Sequence, residues 1–445
     1  MSTRITRRNG VAAALALSFC TPAAMAANWL MLQGTEPAGS AGRAKVWGFI
    51  QAQYQKDFSD ANASGQYIPP KLIGPDLESQ DAFNVNRARI GVRGANLPLD
   101  SNTNYFLLAE LGNNGITAPG DAFVHLTDAS VTFNHIPHAR VRVGLFKFPG
   151  PEEGLQAIHV FDYINFTQVS NQLMLERFQS STQGSRVGPQ TLPPATAFNT
   201  FDKPVGAFRD VGIQLFDSFR QGDWEHSYAA MIGNGSGVSF SDPDDKKDLY
   251  LYWASEKVFG GKGPRREGLK LFGWYHTGKR TFDGDRDGTV ESYDRKRWGL
   301  GLKYLKKPWR VTAEYMAGEG MIFQGPDKSD FALVPPAVGN PSHPGNGLKG
   351  KGRGYYLDLG YRIPGTALEL DARYDFYARN DDSAFELDFK TLTLGAQYHI
   401  NKKTRITFNY AFRDFEAVNF ASGAGPNANL DGVKGRAAIQ ITAIF

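Results

Sequence analysis

The sequence predicts an all-β chain, a 16-stranded antiparallel transmembrane β-barrel with long external loops and an inward-folded third loop. Three observations predict it. Segments of about ten residues alternate apolar and polar side chains, as strands do when one face meets lipid and the other a polar interior. There are about sixteen such segments, an even number as bacterial barrels require. The connections between them alternate short and long, the sorting expected of periplasmic turns and external loops.

Taken in order, the chain opens on a leader. Arg4, Arg7 and Arg8 precede an apolar stretch, Val11 to Phe19, and a small-residue site at Ala24-Met25-Ala26. This reads as a signal peptide over 1–26, with the barrel over 27–445; the apolar stretch is too short to cross a bilayer as a helix. Losing three arginines takes the formal charge of +4 to +1, and the single cysteine, Cys20, leaves with the leader. Nothing in that balance points to nucleic acid, and the remaining chain has no thiols for disulfides or a thiolate metal site. No later segment has 18 continuous apolar residues, so a membrane span must be built from strands.

The expected strands are 45–55, 83–94, 102–111, 124–134, 138–147, 207–216, 224–233, 247–256, 267–280, 293–305, 308–318, 353–362, 366–378, 388–399, 403–414 and 433–445. The last is the clearest: Val433, Gly435, Ala437, Ile439, Ile441, Ala443 and Phe445 oppose Lys434, Arg436, Ala438, Gln440 and Thr442. In 83–94, Ala88, Ile90 and Val92 oppose Arg87, Arg89 and Arg93. Trp224, Trp253, Trp298, Trp309, Tyr315, Tyr355, Tyr361 and Tyr398 fall on the expected lipid face, many near strand ends where aromatic girdles belong. The short connections include 135–137, 218–222, 306–307, 364–365 and 401–402; the long ones include 56–82, 148–206, 319–352 and 415–432.

The polar face carries the chemistry. It places Arg87, Arg89, Arg93, Arg140, Arg142, Lys270, Arg295, Arg297, Lys303, Arg310, Arg362, Arg373, Arg405, Arg413, Lys434 and Arg436 in the lumen. Glu110, Asp128, Glu225, Asp248, Glu256, Glu314, Asp358, Glu369, Asp371 and Asp375 share that face, leaving an excess of six positive charges. A confined, positively lined passage concentrates anions. The bland alternative is that these arginines pair with lumenal acids and stiffen the wall. Lys147, Glu152 and Glu153 lie at the root of the long connection 148–206. If that segment folds inward, the two glutamates are expected to face Arg87, Arg89, Arg140 and Arg142 and set up a transverse field.

Two stretches carry a family resemblance: Arg87-Ala-Arg-Ile-Gly-Val-Arg-Gly94, and Val141-Arg-Val-Gly-Leu-Phe-Lys-Phe-Pro149 followed by Gly150-Pro-Glu-Glu-Gly154. With the terminal Phe445, which resembles the assembly signal of outer-membrane barrels, the chain resembles the phosphate-selective porin O/P family. The resemblance implies an outer-membrane homotrimer whose third external loop, here 148–206, narrows a water-filled pore. Small polar solutes would diffuse through it, with a preference for anions.

One other motif stands out. Asp283, Asp285, Asp287, Glu291 and Asp294 follow calcium-loop spacing, with Asp in place of the usual final Glu. Calcium is the one cofactor the sequence suggests, and a pore requires none; the bland reading is an acidic loop tip. His135 and His138 sit in a short turn without a carboxylate pair, and no G-x-S-x-G, P-loop or H-E-x-x-H is present. Two other functions stay open: an outer-membrane barrel enzyme such as a lipid hydrolase, and a surface binding or adhesion barrel.

Overall fold

The computed structural model describes residues 28–32, 44–61, 81–95, 100–114, 116–117, 124–175, 207–238, 242, 245–282, 291–322 and 349–445. The strands are β1 (Lys45–Asp57), β2 (Asp81–Ala95), β3 (Thr103–Glu110), β4 (His125–Phe133), β5 (Arg140–Lys147), β6 (Arg209–Gln221), β7 (Trp224–Gly233) and β8 (Asp248–Gly260). They continue as β9 (Glu267–Phe282), β10 (Glu291–Lys306), β11 (Trp309–Glu319), β12 (Lys351–Arg362), β13 (Leu368–Arg379), β14 (Leu387–His399), β15 (Thr404–Ala417) and β16 (Arg436–Ile444). Each pairs antiparallel with its sequence neighbour, and β16 pairs with β1 to close the barrel. Beyond the end of β16, the Phe445 amide donates to the Gly48 carbonyl at 3.0 Å, so the last residue helps seal the seam. Closure leaves no unpaired edge, which a span through hydrocarbon requires.

The two faces separate as the alternation predicts. Trp253, Trp298, Trp309, Tyr315, Tyr355 and Tyr398 are exposed on the outer wall with Ile90, Leu300, Phe412 and Ile441; Trp224 and Tyr361 are half-buried there. The inner wall of β1 carries Gln51, Gln53, Gln55 and Asp57, all buried. Short turns, among them 222–223 and 307–308, gather at the end that holds Lys45 and Ile444; the long connections lie at the other end.

Local breaks in the alternation re-aim side chains. Between β1 and β2 the register steps from Gln51↔Arg87 to Ala52↔Val85, which leaves Asn86 as an extra residue. Above this bulge Phe83 and Val85 face outward; below it the outward parity changes to Ala88 and Ile90, which keeps Arg87 and Arg89 buried inside. A similar step between β3 and β4 makes Thr127 extra. In β5, Gly144 has φ +124°, and a Cβ there would stand 2.1 Å from the Ala129 carbonyl oxygen, so only glycine fits.

One expected position moves. Lys434 precedes β16 instead of belonging to it; it is exposed and lies 3.8 Å from Asp60. The turns and coil over 418–435, including α1 (Asn427–Leu430), hold the chain outside the wall until Arg436.

Candidate functional site

The first part of the connection after β5, residues 148–175, enters the lumen. The rest of the expected loop, up to residue 206, lies outside the described residues. Phe148, Leu155, Leu173 and Met174 are buried with lumenal Phe272, Trp274 and Tyr356 in one apolar cluster. Polar anchors surround it. The Glu152 carboxylate accepts from Lys303 Nζ at 2.9 Å and from Lys270, while Glu153 accepts from Arg373 Nη1 at 3.1 Å and from Thr167 Oγ1 at 2.6 Å. Asp162 pairs with Arg265 at 2.8 Å and Arg310 at 3.2 Å, and the Tyr163 hydroxyl donates to Asp358 at 2.8 Å. Arg297 Nε donates to the Leu173 carbonyl at 2.9 Å, Arg295 to Met174 at 3.1 Å, and Arg405 to Phe161. The segment is thus tied to the inner faces of β9 to β13 and of β15.

This corrects the expected transverse field. Glu152 and Glu153 turn toward Lys270, Lys303 and Arg373 on β9, β10 and β13, and not toward Arg87, Arg89, Arg140 and Arg142. The reason lies in the path of the chain: a short helical turn, Glu152–Leu155, begins at once after Pro151 and aims both carboxylates across the barrel. Burial pushes Glu152 up, but Lys270 and Lys303 outweigh it and hold the carboxyl at about 2. His159 moves the other way: burial, then Arg405, Lys147 and Arg89, push it down to about 3, so it adds no charge at neutral pH.

On the facing wall, Arg87, Arg89, Lys147 and Arg209 line a cavity of about 20 Å³ together with Asn114 and Thr117. Arg89 Nε donates to Glu110 at 2.7 Å and Arg209 Nη2 to Asp128 at 2.9 Å. The other two meet neutral oxygens among the described residues: Arg87 donates to Gln51 Oε1 at 3.2 Å and Lys147 to the Gln156 carbonyl at 2.7 Å. Four cations against two carboxylates leave this recess positive.

The expected filter therefore divides. Arg87 and Arg89 join Lys147 and the unforeseen Arg209. Arg140 and Arg142 do not, because they lie near the start of β5, at the short-turn end of the barrel, whereas Lys147 closes that strand at the long-connection end. Arg142 stacks on Phe216, 4.4 Å from the ring centroid, and Arg140 lies 3.5 Å from Asp217. Arg93 covers Trp47 at 5.8 Å. Arg413 donates to Asp57 at 2.7 Å, and Arg436 opens β16 opposite Asp57. Arg265 and Arg266 were not foreseen either. They sit in the turn before β9, where no alternation marks them, and Arg266 bonds Glu225 at 2.7 Å.

Asp283, Asp285 and Asp287 of the calcium-like motif lie outside the described residues. Glu291 accepts from the Tyr293 hydroxyl at 2.7 Å, and exposed Asp294 stands near Lys279 and Lys296 at 3.5 and 3.4 Å. Among the described residues no three carboxylates or histidines gather as a metal site.

Residues 276–424 match the family model of the phosphate-selective porins O and P. No curated protein sequence matches the chain. Among solved structures, Salmonella typhi OmpF in complex with daunomycin aligns with a TM-score of 0.52 at 12% identity, over 90% of this chain and 97% of that one. A loop L8 deletion mutant of OmpT, an outer membrane protein of Vibrio cholerae, aligns at 0.49 and 9% identity, over 91% and 100%. The outer membrane channel DcaP of Acinetobacter baumannii aligns at 0.48 and 10%, over 93% and 100%. With its closed sixteen-stranded wall, lipid-facing exterior and charged lumen, the chain has the fold of the porins of the Gram-negative outer membrane, and over residues 276–424 it resembles the phosphate-selective porin O and P family.

Proposed function

We propose that this barrel is an outer-membrane porin that passes small polar solutes by diffusion and prefers anions, and that the segment 148–206 sets its narrowest point. The observation that supports the preference is the recess of Arg87, Arg89, Lys147 and Arg209, where, among the described residues, Arg87 and Lys147 form no ion pair with a carboxylate. The loop's described carboxylates, Glu152, Glu153 and Asp162, do not cancel this excess, because each is matched by wall or turn cations. The preference is a bias and not a strict filter, since carboxylates line the same passage. The resemblance to the porin O and P family suggests a homotrimer as the working unit.

The test is the reversal potential of purified protein in planar bilayers across a potassium chloride gradient. One charge about 4 Å from a passing ion is worth about 1 kcal/mol in water, or roughly fivefold in relative permeability. The double variant Arg87→Gln/Lys147→Gln should therefore lose most of the chloride preference while still conducting. A purified protein that forms no channels, and instead hydrolyses lipid, would replace this reading with the enzymatic one.

A further inference from the structure

One part of the inner wall is apolar. Side chains that face a water-filled passage are ordinarily polar, because uncovered apolar surface is unfavourable in water. The inner faces of β1 and β15 follow that rule, with Gln51, Gln53, Thr407 and Asn409. Those of β7, β8 and β9 do not. Ala229, Met231, Tyr252, Ala254, Phe272 and Trp274 point inward from them and are all buried. The registers join them into one patch: Ala229 is opposite Tyr252, Tyr252 opposite Trp274, and Ala254 opposite Phe272. A charged row of Glu225, Glu256, Lys270 and Lys303 borders the patch on the side of the short turns. At the edge nearer the long connections, Phe148 of the connection after β5 stacks on Tyr250, which is opposite Met231.

The edge nearer the short turns is covered by residues 28–32. Asn28 Nδ2 donates to Ser227 Oγ, and Ser227 is opposite Ala254. Lys303 Nζ, in the charged row, is 5.9 Å from the Trp29 ring centroid. Trp29, Leu30 and Met31 are buried in the same apolar cluster as the patch. The connection after β5 is fastened differently, through the ion pairs of Glu152, Glu153 and Asp162. Residues 28–32 carry no ionisable side chain, so no side-chain ion pair can fasten them. One turn of helix is not stable alone in water and takes its shape from the wall it covers. With the expected leader removed at residue 26, the segment is also close to a free chain end, tied to β1 through 33–44. A tethered apolar ligand of this kind binds reversibly, at an effective concentration set by its tether.

We propose that the inward rows of β7, β8 and β9 are a binding site for a short apolar peptide, that residues 28–32 occupy it, and that their release toward the short turns opens the channel to a second, larger conductance. The proposal rests on the reading of the chain as a channel and is independent of its ion preference.

The one cysteine, Cys20, lies in the expected leader, so a cysteine pair can be introduced without competitors. In Asn28→Cys/Ser227→Cys, a short bifunctional methanethiosulfonate should join the two positions, as read by peptide mapping. It should also hold single channels at the lower conductance until a reductant is added. Deleting 28–32 should leave only the higher level. The synthetic peptide Asn-Trp-Leu-Met-Leu with a polar solubility tag, added on the short-turn side of that deletion variant, should restore the lower level saturably. The same peptide with Ser in place of Trp and of the first Leu should need a roughly tenfold or higher concentration, since apolar burial drives the contact. Equal block by the two peptides, block by neither, or no cross-link overturns the site. A cross-linked double variant that conducts as the reduced one does overturns the gating. Should either variant fail to assemble, the other decides. Cross-linking in a protein that carries no current overturns the channel reading and leaves the binding site standing.

Discussion

At the residue scale, the lumen is held by carboxylates whose partners lie across the barrel. Glu152 is the clearest case, since one buried carboxylate serves two lysines. Replacing it with Gln strands both ammonium groups, and breaking a buried pair in this way typically costs about 3 kcal/mol or more. The expected outcome is a loop that protease cuts between 148 and 175 in the variant and spares in the wild type; equal resistance would show that the apolar cluster alone holds it. The pH dependence has a definite sign. The folded-state carboxyl is held at about 2, below its ordinary 4.5, so its anchoring is complete above pH 4.5 and is lost as pH falls toward 2. Current noise from loop motion should therefore grow below pH 4.5 in the wild type. It was legible in the sequence that Arg87, Arg89, Arg295, Arg297 and Arg373 point inward, because a strand's parity fixes a side chain's face. Which acid meets which base was not. Glu152 and Glu153 sit on a segment without periodicity, and only its path across the lumen selects Lys270, Lys303 and Arg373.

At the element scale, all sixteen strands were visible as alternation, and their order followed from the sorted connections. The bulges at Asn86 and Thr127 were not, because one inserted residue alters pairing without altering composition. Among the described residues two elements occupy the lumen. One is the segment after β5. The other is a short helix at Trp29–Leu32, whose Trp29, Leu30 and Met31 are buried, with Lys303 Nζ 5.9 Å from the Trp29 ring centroid. Nothing in its composition announced a place inside the barrel. Both elements should limit current from the positions they hold. Deleting 155–175 should raise single-channel conductance and weaken the anion preference, because Gln156, which receives Lys147, goes with it. Deleting 28–32 should raise conductance while keeping the preference, because that helix lies by Lys303 and Ser227, away from the central recess. Unchanged conductance in either deletion would place the narrowest passage elsewhere.

At the scale of the whole molecule, a closed wall satisfies its own backbone and turns apolar residues outward, which frees the inner face for charge. Near-neutral overall charge gives no hint of what the lumen does; the sign of the local field depends on which cations keep a carboxylate beside them. Arg373, Arg310 and Lys303 do, and serve mainly to hold the loop. Among the described residues Arg87 and Lys147 form no such pair, and they face the same small cavity. The central claim is that these two charges, and not the total count, set selectivity. The most direct measurement is the reversal potential of the wild type and of Lys147→Glu in potassium chloride gradients at about 0.1 M and at about 1 M, where the Debye length falls from about 10 to about 3 Å. The account predicts an anion-selective wild type whose preference shrinks at high salt, and a Lys147→Glu channel shifted toward potassium at low salt. A wild type that selects cations, or a charge reversal that leaves the potential unmoved, would contradict it.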